Sequence, residues 1–581
     1  MRYLVLTVIL FVLFTSCGAD KASTDSDEAS RLQQTLKGDR YYGGIFKVNE
    51  VEYFRSLYPL NVTEVTSHRI TNQIYEGLLS LNQSDLSIVP LLAERYEVDS
   101  TATQFTFYLR KGVRYHDDPC FADGKGREVT ANDFKYCLTK LCEADANNQG
   151  YWIFENKVKG CSDYFASTKT GAPLPDGVSG IQVIDDYTLH IELEKPFAAF
   201  LHLLAMPFTA VFPKEALDKY GVEMRVKTVG TGPYKLKSLR DKETVFLIKN
   251  ENYWGKDEFG NQLPYMDGIK VSFIGDRKSE LLEFQKGNLD MLFRLPLELK
   301  DDVISRNDSL NEGYDQFTLQ VIPNLSIQYY GFLHPDTLFG NKNIRKALNY
   351  AIDRKKIVDY TLKGSGIPGI YGVVPPAFEN YDYKAIDGYE YSPDKARNLL
   401  AEAGYPNGEG MPELTLQINS GGGYNDQVAE AVQKMLSETL NIKVNITKLP
   451  FAQHLENIET SKVQFWRAGW IADYPDPENF LNLFYSKHIP ASAEERSYLN
   501  SVRYSSAEFD LLFEQAMQTV DDDERNLLYL KADQQAMNDA AIMPIFYYKD
   551  HRLLQPKVKN FPQNGMEYRN FREVYFSPLS N

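Results

Sequence analysis

The amino-acid sequence predicts an α/β protein built from several lobes with mixed sheets. Three observations predict this class: alternating runs typical of strands, helical patterns between those runs, and a length of 581 residues. Because domains usually hold about 100–200 residues, we expect three or more lobes. The strands and helices alternate along the chain, which favours α/β architecture over an all-α or all-β fold.

The first clear elements lie between residues 104 and 193. TFTFYL (104–109) and TLHIEL (188–193) alternate apolar and polar residues, as half-buried strands do. Thr130 precedes a helical pattern between these two strands. The apolar face of that helix is formed by Phe134, Cys137, Leu138 and Leu141.

Two helices are predicted in the following part of the chain. Residues 344–352 have the helical spacing of a buried face. A second helix begins at Ser392-Pro393, where we expect Ser392 to cap the first turn. Gly404 lies beyond its last apolar position and is a natural helix end.

A strand–helix–strand unit is the clearest pattern in the sequence. ELTLQIN (413–419) is followed by the GGG turn at 421–423, by a helix with apolar residues from Val428 to Met435, and by KVNIT (443–447). Such a unit predicts two parallel strands joined by a right-handed crossover.

Composition and charge narrow the function. Hydrophobic residues make up 43 % and charged residues 24 %, as in a globular protein, and the net charge is −16. An acidic chain argues against nucleic-acid partners, whose phosphates are bound by Lys and Arg. Neither the H-E-x-x-H pattern of zinc peptidases nor the G-x-S-x-G pattern of hydrolases occurs. We therefore expect no enzyme activity, no metal and no cofactor.

The amino terminus predicts export and a lipid anchor. Arg2 is followed by an apolar run from Tyr3 to Phe14, which is too short to span a bilayer but typical of a secretory signal. Thr15-Ser16-Cys17 then resembles a bacterial lipobox, so we expect a signal peptide over 1–17 and a lipidated Cys17. Residues 18–38 are small and polar, and predict a flexible tether.

Four further cysteines lie close together in the sequence. An exported protein meets an oxidising compartment, so disulfides are expected among them. Three pairings are possible, and the sequence does not choose between them. The spacing lacks the C-x2-C pattern of zinc sites. The residues are Cys120, Cys137, Cys142 and Cys161.

The segment WRAGWIADYPDPENFLN (466–482) carries the candidate binding chemistry. Trp470 and other aromatic residues lie next to Arg467 and Asp473. A carboxylate in an aromatic cleft that holds little water is a strong partner for an ammonium group. The alternative interpretation is a buried aromatic corner with a structural ion pair.

Nine blocks in one order resemble a known family over residues 40–581. The chain resembles the peptide, dipeptide and nickel class of extracellular solute-binding proteins that feed ABC importers, above all its oligopeptide-binding members. The blocks are SLYPLNVTEVTSHRITNQIYEGLL (56–79), LAERYEV and FYLRKGVRYHD (within 92–117), VGTGPYKL (229–236), ENYWGKD (251–257), KGNLDML (286–292), IRKALNYAIDRKKIV (344–358), YSPDKARNLLAEAGYP (391–406), RAGWIADYPDPENFLN (467–482) and ADQQAMNDAAIMPIFYYKDHRLLQPKVKNF (532–561).

The resemblance implies a bilobed periplasmic-binding-protein-like fold with an extra domain. Two strands, near 325–333 and 540–550, would form the hinge between the lobes. The implied division of the chain is lobe I at 39–70, 225–330 and 541–581, the accessory domain at 71–224, and lobe II at 331–540.

The resemblance also implies a set of ligand-binding residues. Asp473 would hold the ligand's α-ammonium group, and Arg467 a ligand carboxylate. Extended peptides would pair with exposed strand edges, which permits broad specificity. The expected edges are Gly469, Trp470 and Ile471 on one side and Thr63, Glu64 and Val65 on the other, with Tyr329 and Tyr330 near the hinge.

The implied function is capture of short peptides for delivery to ABC permease subunits. The protein would act as a monomer in the periplasm or at the cell surface, held to the membrane by its lipid. An alternative keeps the fold and changes the ligand to a nickel chelate, haem or an oligosaccharide. A sensor or adhesion role, in which another protein reads the closed form, also stays open.

Overall fold

The computed structural model describes residues 36–378, 380–420, 424–492 and 495–578. The predicted signal peptide at 1–17 with Cys17, most of the 18–38 tether and the triglycine turn at 421–423 lie outside these residues. Within them, strands and helices alternate along the chain, as the sequence predicts.

The strands are mostly short, and two of them are long. They are β1 (Ile45–Asn49), β2 (Leu79–Leu81), β3 (Ile88–Pro90), β4 (Ala93–Val98), β5 (Gln104–Leu109), β6 (Ile181–Asp185), β7 (Thr188–Glu192), β8 (Tyr234–Arg240), β9 (Thr244–Lys249), β10 (Gly268–Ser272), β11 (Met291–Phe293), β12 (Thr318–Phe332), β13 (Gly366–Pro368), β14 (Leu414–Asn419), β15 (Val444–Leu449), β16 (Phe465–Ile471), β17 (Ile542–Leu554), β18 (Val558–Lys559) and β19 (Tyr575–Phe576).

The helices concentrate in the second half of the chain. They are α1 (Val65–Thr71), α2 (Ala131–Leu141), α3 (Cys161–Lys169), α4 (Phe200–Leu203), α5 (Lys214–Tyr220), α6 (Arg277–Gln285), α7 (Leu297–Val303), α8 (Lys342–Tyr350), α9 (Arg354–Lys356), α10 (Pro393–Glu402), α11 (Asn425–Leu440), α12 (Phe451–Glu459), α13 (Glu478–Leu481), α14 (Ala507–Gln518) and α15 (Asp522–Asn538).

Three larger sheets organise the fold. The central sheet has the order β11-β17-β12-β16-β14-β15, with β13 paired to β17. The amino-terminal sheet has the order β1-β10-β9-β8, and the accessory sheet β4-β5-β7-β6. Parallel and antiparallel pairs occur together in the central and amino-terminal sheets, so these two sheets are mixed, as predicted.

The long strands β12 and β17 carry the chain through the central sheet. The first part of β12, residues 318–323, pairs with residues 549–554 of β17, beside β11. Its last part pairs with β16 on one side and with the start of β17 on the other. The register shifts between Pro323 and Ile327, at the junction of these two parts. The segments near 325–333 and 540–550, for which a hinge is expected, thus lie largely in strands β12 and β17.

The strand–helix–strand unit of the second half forms as predicted. β14 and β15 are parallel neighbours, and α11 lies between them in the chain. The two other predicted helices also form, as α8 and α10. Pro393 begins α10, and Gly404, with φ of +96°, follows its carboxyl end. The expected Ser392 cap is wrong, because its side chain makes no capping hydrogen bond.

The accessory sheet contains both strands predicted from alternation, β5 and β7. Between them, Thr130 and Asp133 form a reciprocal capping box at the start of α2. The buried face of α2 carries Phe134, Leu138 and Leu141, as the helical spacing predicts.

The cysteines pair only in part. Cys142 and Cys161 form a disulfide with 5.4 Å between their Cα atoms, joining the end of α2 to the start of α3. Cys120 and Cys137 are free thiols, so the expectation of disulfides at all four positions is wrong for these two. Cys137 lies on the buried face of α2, where its sulfur contacts the backbone of Phe212.

The accessory region also touches the helices of the second half. The backbone N–H of Ala198 donates to the carbonyl of Met517 at 3.1 Å. Tyr474, which directly follows the candidate site, packs into the apolar core shared by the amino-terminal and accessory sheets. These contacts place the accessory region against the segment that carries Asp473. Among the described residues, no helix combines the length and apolar character needed to cross a membrane.

Candidate functional site

The strand β16 presents an unpaired edge at the candidate site. Its residues 465–471 pair with β12 along their whole length, with Gly469 opposite Gln328. On the other side, β14 meets β16 only at Trp466. Within the described part of the chain, the second edge of Gly469–Ile471 therefore has no strand partner. Backbone groups on such an edge can pair with an added strand.

The turn after β16 places Asp473 beside this edge. The backbone N–H of Asp473 donates to the side-chain oxygen of Asn479 at 3.1 Å. The indole N–H of Trp470 donates to the same oxygen at 2.8 Å. Asn479 lies in the short helix α13 and so fixes both residues of the predicted site.

The Asp473 carboxylate is accessible to water, but the surrounding protein disfavours its ionised form. The residue is exposed, which places it on a surface rather than in the core. Desolvation by the surrounding protein nevertheless raises the pKa of Asp473 to about 6, against which a hydrogen bond from Asn479 acts. Among the described residues, no cationic group lies within 4 Å of its carboxylate. The group is thus an exposed carboxylate whose charge the surrounding protein disfavours, without a counter-ion within 4 Å in the described residues.

Two further acids follow Asp473 and make this end of the site acidic. Asp476 and Glu478 are both buried. Burial raises the pKa of Glu478 to about 7, and the Tyr474 hydroxyl donates to its carboxylate. Because like charges disfavour one another, a cation at Asp473 would relieve the repulsion along this segment.

Aromatic side chains cover the same end. The rings of Trp470 and Tyr498 lie 6.2 Å apart, tilted by 61° in an edge-on contact. Tyr498 is 67 % exposed. Desolvation, followed by the nearby charge of Asp473, raises the pKa of Tyr498. The pair offers aromatic surface near a carboxylate, a combination suited to an ammonium group and its neighbouring carbon atoms.

Arg467 lies six residues earlier, at the other end of the exposed edge. Its guanidinium donates to the Asn419 side-chain oxygen at 3.2 Å and to the Gln328 side-chain oxygen. Burial lowers the pKa of Arg467, and within the described residues no carboxylate lies within 4 Å of it. Its positive charge is therefore held by neutral amides alone.

Gly469 leaves room for one of these amides. A Cβ atom at this position would lie 2.4 Å from the Gln328 side-chain nitrogen. Any larger residue would therefore displace Gln328 and disturb its contact with Arg467. A glycine at position 469 is therefore required by the packing of Gln328, in addition to leaving the strand edge open.

Tyr329 and Tyr330 are buried near the hinge, beside Arg467. They line a small cavity with Arg467 and Tyr424. Burial raises the pKa of Tyr329 to about 12 and that of Tyr330 further. The Tyr330 hydroxyl finds no hydrogen-bond partner among the described residues, so a polar group entering here would gain one.

The segment Thr63–Val65 differs from the expected extended edge. Glu64 has extended backbone, but Val65 is the first residue of α1, so the edge ends at Glu64. The Glu64 carboxylate accepts from the Arg55 backbone N–H at 2.6 Å and from the Ser67 hydroxyl. No hydrogen bond joins residues 63–65 to residues 467–473 in the described ranges.

Several residues of this site were missed in the sequence. Asn479, Gln328, Asn419 and Tyr498 orient or flank the predicted side chains, yet they come from one helix, two strands and a connecting segment. Only Asn479 carried a usable signal, because it lies within the block that contains Asp473. No group of three or more His, Cys, Asp and Glu side chains in the described residues could hold a metal.

A family model matches most of the chain. Residues 87–491 match the model described as the middle part of the bacterial extracellular solute-binding proteins of family 5. This range contains the accessory sheet, β12, β16 and the whole segment around Asp473.

Curated relatives match over nearly their full length. The haem-binding protein A of Haemophilus influenzae is 28 % identical over 525 residues, covering 89 % of both chains. The periplasmic oligopeptide-binding protein OppA of Salmonella typhimurium is also 28 % identical, covering 87 % of this chain and 88 % of its own. Because the two names state different ligands at equal identity, overall similarity does not select the ligand.

A solved structure has the same fold. The ABC transporter-associated periplasmic binding protein DppA of Helicobacter pylori, in complex with the peptide STSA, superposes with a TM-score of 0.74. It is 26 % identical and covers 93 % of this chain and 99 % of its own. The bilobed fold is thereby shared with a binding protein whose structure holds a peptide.

Proposed function

This chain belongs to the bacterial extracellular solute-binding proteins of family 5, and from that premise we propose that it captures short peptides in a cleft between two lobes and delivers them to the permease of an ABC importer. The family consists of binding proteins rather than enzymes. The likeness to proteins named for oligopeptide binding, and to a peptide complex, supports this assignment.

The observation that carries the proposal is the unpaired carboxylate of Asp473. It is desolvated, beside an aromatic wall, and without a cation within 4 Å in the described structure. A peptide's α-ammonium group supplies the missing charge and several N–H donors at once. Haem and sugars lack such a group.

The remaining features of the cleft fit an extended peptide. The free edge at Gly469–Ile471 can pair with the peptide backbone, and Arg467 can pair with a carboxylate. Thr63 and Glu64 would approach the peptide from the opposite wall after closure. Backbone pairing ignores side chains, so we expect several peptide sequences to bind.

The proposed division of the chain keeps the amino-terminal sheet in lobe I and the accessory sheet in the accessory domain, and it divides the central sheet between the two lobes. Residues 39–70, 225–330 and 541–581 form lobe I, residues 71–224 the accessory domain, and residues 331–540 lobe II. β12 and β17 are the two connections between the lobes, and the register shift between Pro323 and Ile327 would be the point where they bend on closure. Small-angle scattering with and without ligand tests this division through the expected compaction on binding.

We further propose that the mature protein is a monomer tethered to the membrane through a lipid on Cys17. The motif at residues 15–17 and the small, polar tether support this. Metabolic labelling with a fatty acid should mark the wild-type chain. Replacing Cys17→Ser should abolish the label and release the protein from the membrane fraction.

The ligand assignment is tested by calorimetry on protein stripped of bound ligand by partial unfolding and refolding. We expect free tri- to pentapeptides to bind, and their N-acetylated forms to bind about 100-fold more weakly, because acetylation removes the ammonium charge. Haem serves as the competing ligand. Equal affinity for free and acetylated peptides, or binding of haem alone, would overturn the peptide assignment.

A further inference from the structure

A second group of basic side chains lies beside the cavity that Arg467 lines. Arg294 follows β11, Lys300 belongs to α7, and Lys549 and His551 belong to β17. Together with Ser365, Tyr424 and Tyr548, these residues line one cavity. Tyr424 also lines the Arg467 cavity, so the two cavities share a wall.

Three of these basic groups are engaged by only two carboxylates. Arg294 forms a two-pronged ion pair with Asp550, with N–O distances of 2.8 and 3.1 Å. Asp308 accepts from Lys549 at 2.7 Å and from His551 at 2.8 Å. Burial lowers the pKa of His551, so its imidazole is largely neutral near neutral pH.

Lys300 is the basic residue of this cavity that has no carboxylate partner in the described part of the chain. It is only 4 % exposed, and its ammonium donates to the Lys363 carbonyl at 2.7 Å and to the Ser365 hydroxyl at 2.9 Å. Among the described residues, no carboxylate lies within 4 Å of it. Burial, followed by the nearby charge of Lys549, lowers the pKa of Lys300 to about 8.

The cavity therefore carries a surplus of positive charge. Arg294, Lys300 and Lys549 oppose Asp308 and Asp550, which leaves one cation without a counter-charge. A buried charge without a partner is costly, and an anionic group entering the cavity would relieve that cost. The Arg294 side chain is 40 % exposed, so one wall of the cavity is open to solvent.

We propose that this cavity is a subsite for a second anionic group of the ligand, so that the protein selects peptides that carry an acidic side chain in addition to their terminal carboxylate. The inference rests on the proposed peptide function and names the class of peptide. The cavity measures about 20 Å³, enough for one small group. A carboxylate head enters it while the rest of the peptide stays in the cleft.

The test is a set of alanine tri- to pentapeptides in which each position after the first carries either Glu or its neutral isostere Gln. At one position we expect the Glu peptide to bind wild-type protein at least about tenfold more tightly than the Gln peptide. Lys300→Met should bring that ratio to about one while leaving the affinity for Gln peptides nearly unchanged.

Two further variants make the result decisive. Lys355→Met removes the same charge from an exposed helical ion pair with Asp359 and should keep the Glu preference. Arg294→Gln, at a partly exposed position, should weaken the preference for Glu over Gln peptides. If thermal melting shows that Lys300→Met is unfolded, Arg294→Gln takes its place in the test.

The outcomes separate the two levels of inference. If wild-type protein binds Glu and Gln peptides equally at every position, or if the preference survives at Lys300→Met and Arg294→Gln, the acidic subsite is wrong and peptide binding stands. If no peptide binds wild-type protein, the proposed function is wrong and the subsite falls with it.

Discussion

Two carboxylates of this protein have opposite electrostatic surroundings. Glu567 is buried between Arg552 and Arg569, with ion-pair distances of 3.1 Å to Arg552 and a closer contact to Arg569. Burial by itself would raise the pKa of Glu567, but the neighbouring guanidinium groups outweigh burial and lower it. At Asp473 desolvation by neighbouring groups also raises the pKa, and only a hydrogen bond with Asn479 opposes it, so the pKa rises to about 6.

This difference in surroundings distinguishes charged groups that stabilise the fold from charged groups that are available to bind a ligand. The Glu567 cluster supplies its own counter-charges inside the protein. Asp473 and Arg467 have none within 4 Å in the described part of the chain, although both are partly desolvated. Unpaired, desolvated charge costs stability, and a binding protein recovers that cost when the ligand arrives.

The largest expected effect is a loss of stability when the ion-pair cluster of Glu567, Arg552 and Arg569 is disrupted. Glu567→Gln would leave Arg552 and Arg569 buried with too little negative charge, which we expect to lower the free energy of unfolding by about 3–5 kcal/mol. Urea denaturation monitored by tryptophan fluorescence measures this loss. A change below about 1 kcal/mol would mean that the cluster is not the structural element described above.

At Asp473 we expect a substitution to weaken binding and not to reduce stability. Asp473→Asn should weaken peptide binding about 100-fold, because the ligand ammonium loses its charged partner. The same variant should be slightly more stable than wild type when empty. The folded pKa of Asp473 exceeds its unfolded value, so ionisation of this group lowers stability as the pH rises through that interval.

Calorimetry and thermal melting of stripped protein measure both effects. The stability gain of Asp473→Asn should be present at about pH 7 and absent at about pH 3, where both states of the wild-type carboxyl are protonated. Loss of stability together with loss of binding would instead make Asp473 a structural residue.

A smaller effect is expected at Arg467. Arg467→Gln should reduce affinity about 10- to 30-fold for peptides with a free carboxyl terminus, because a charge-assisted contact is lost. Peptides with an amidated terminus should bind the variant and wild type within about threefold of each other. Equal losses for both peptide types would indicate that Arg467 acts only through Gln328 and Asn419.

The dependence of affinity on pH should be the mildest effect. Peptide binding requires the ionised form of Asp473, whose pKa in the empty protein is about 6. Affinity should therefore be highest near about pH 7, below the α-amino pKa of about 8 at which the peptide loses its ammonium charge, and fall about tenfold by about pH 5. In Asp473→Asn this fall should be absent, and an unchanged profile in that variant would assign the titration to another group.

Local sequence patterns predicted most of the fold. The features that these patterns missed depend on contacts between residues that are distant in the sequence. The β14–α11–β15 unit follows from alternation and helical spacing within 36 residues of chain, from Leu414 to Leu449. The Cys142–Cys161 pairing depends on how α2 and α3 end and begin, which spacing alone does not fix. Val65 was expected on an extended edge, but helix α1 begins there.

The candidate site divides in the same way. Asp473 and Arg467 were predicted because they lie in one recognisable block. Their environment is made by Gln328 from β12 and Asn419 from β14, whose proximity depends on the central sheet. The surplus charge at Lys300 likewise appears only when α7, β17 and residues 363–365 are brought together.

Proton release on binding measures most directly whether an ammonium group meets the Asp473 carboxylate. Peptide titrations at about pH 6, in buffers of different ionisation enthalpy, report the number of protons released per ligand bound. We predict release of about half a proton per peptide by wild-type protein and none from this group in Asp473→Asn. Equal proton release by both proteins, or none by wild type, would contradict the central claim.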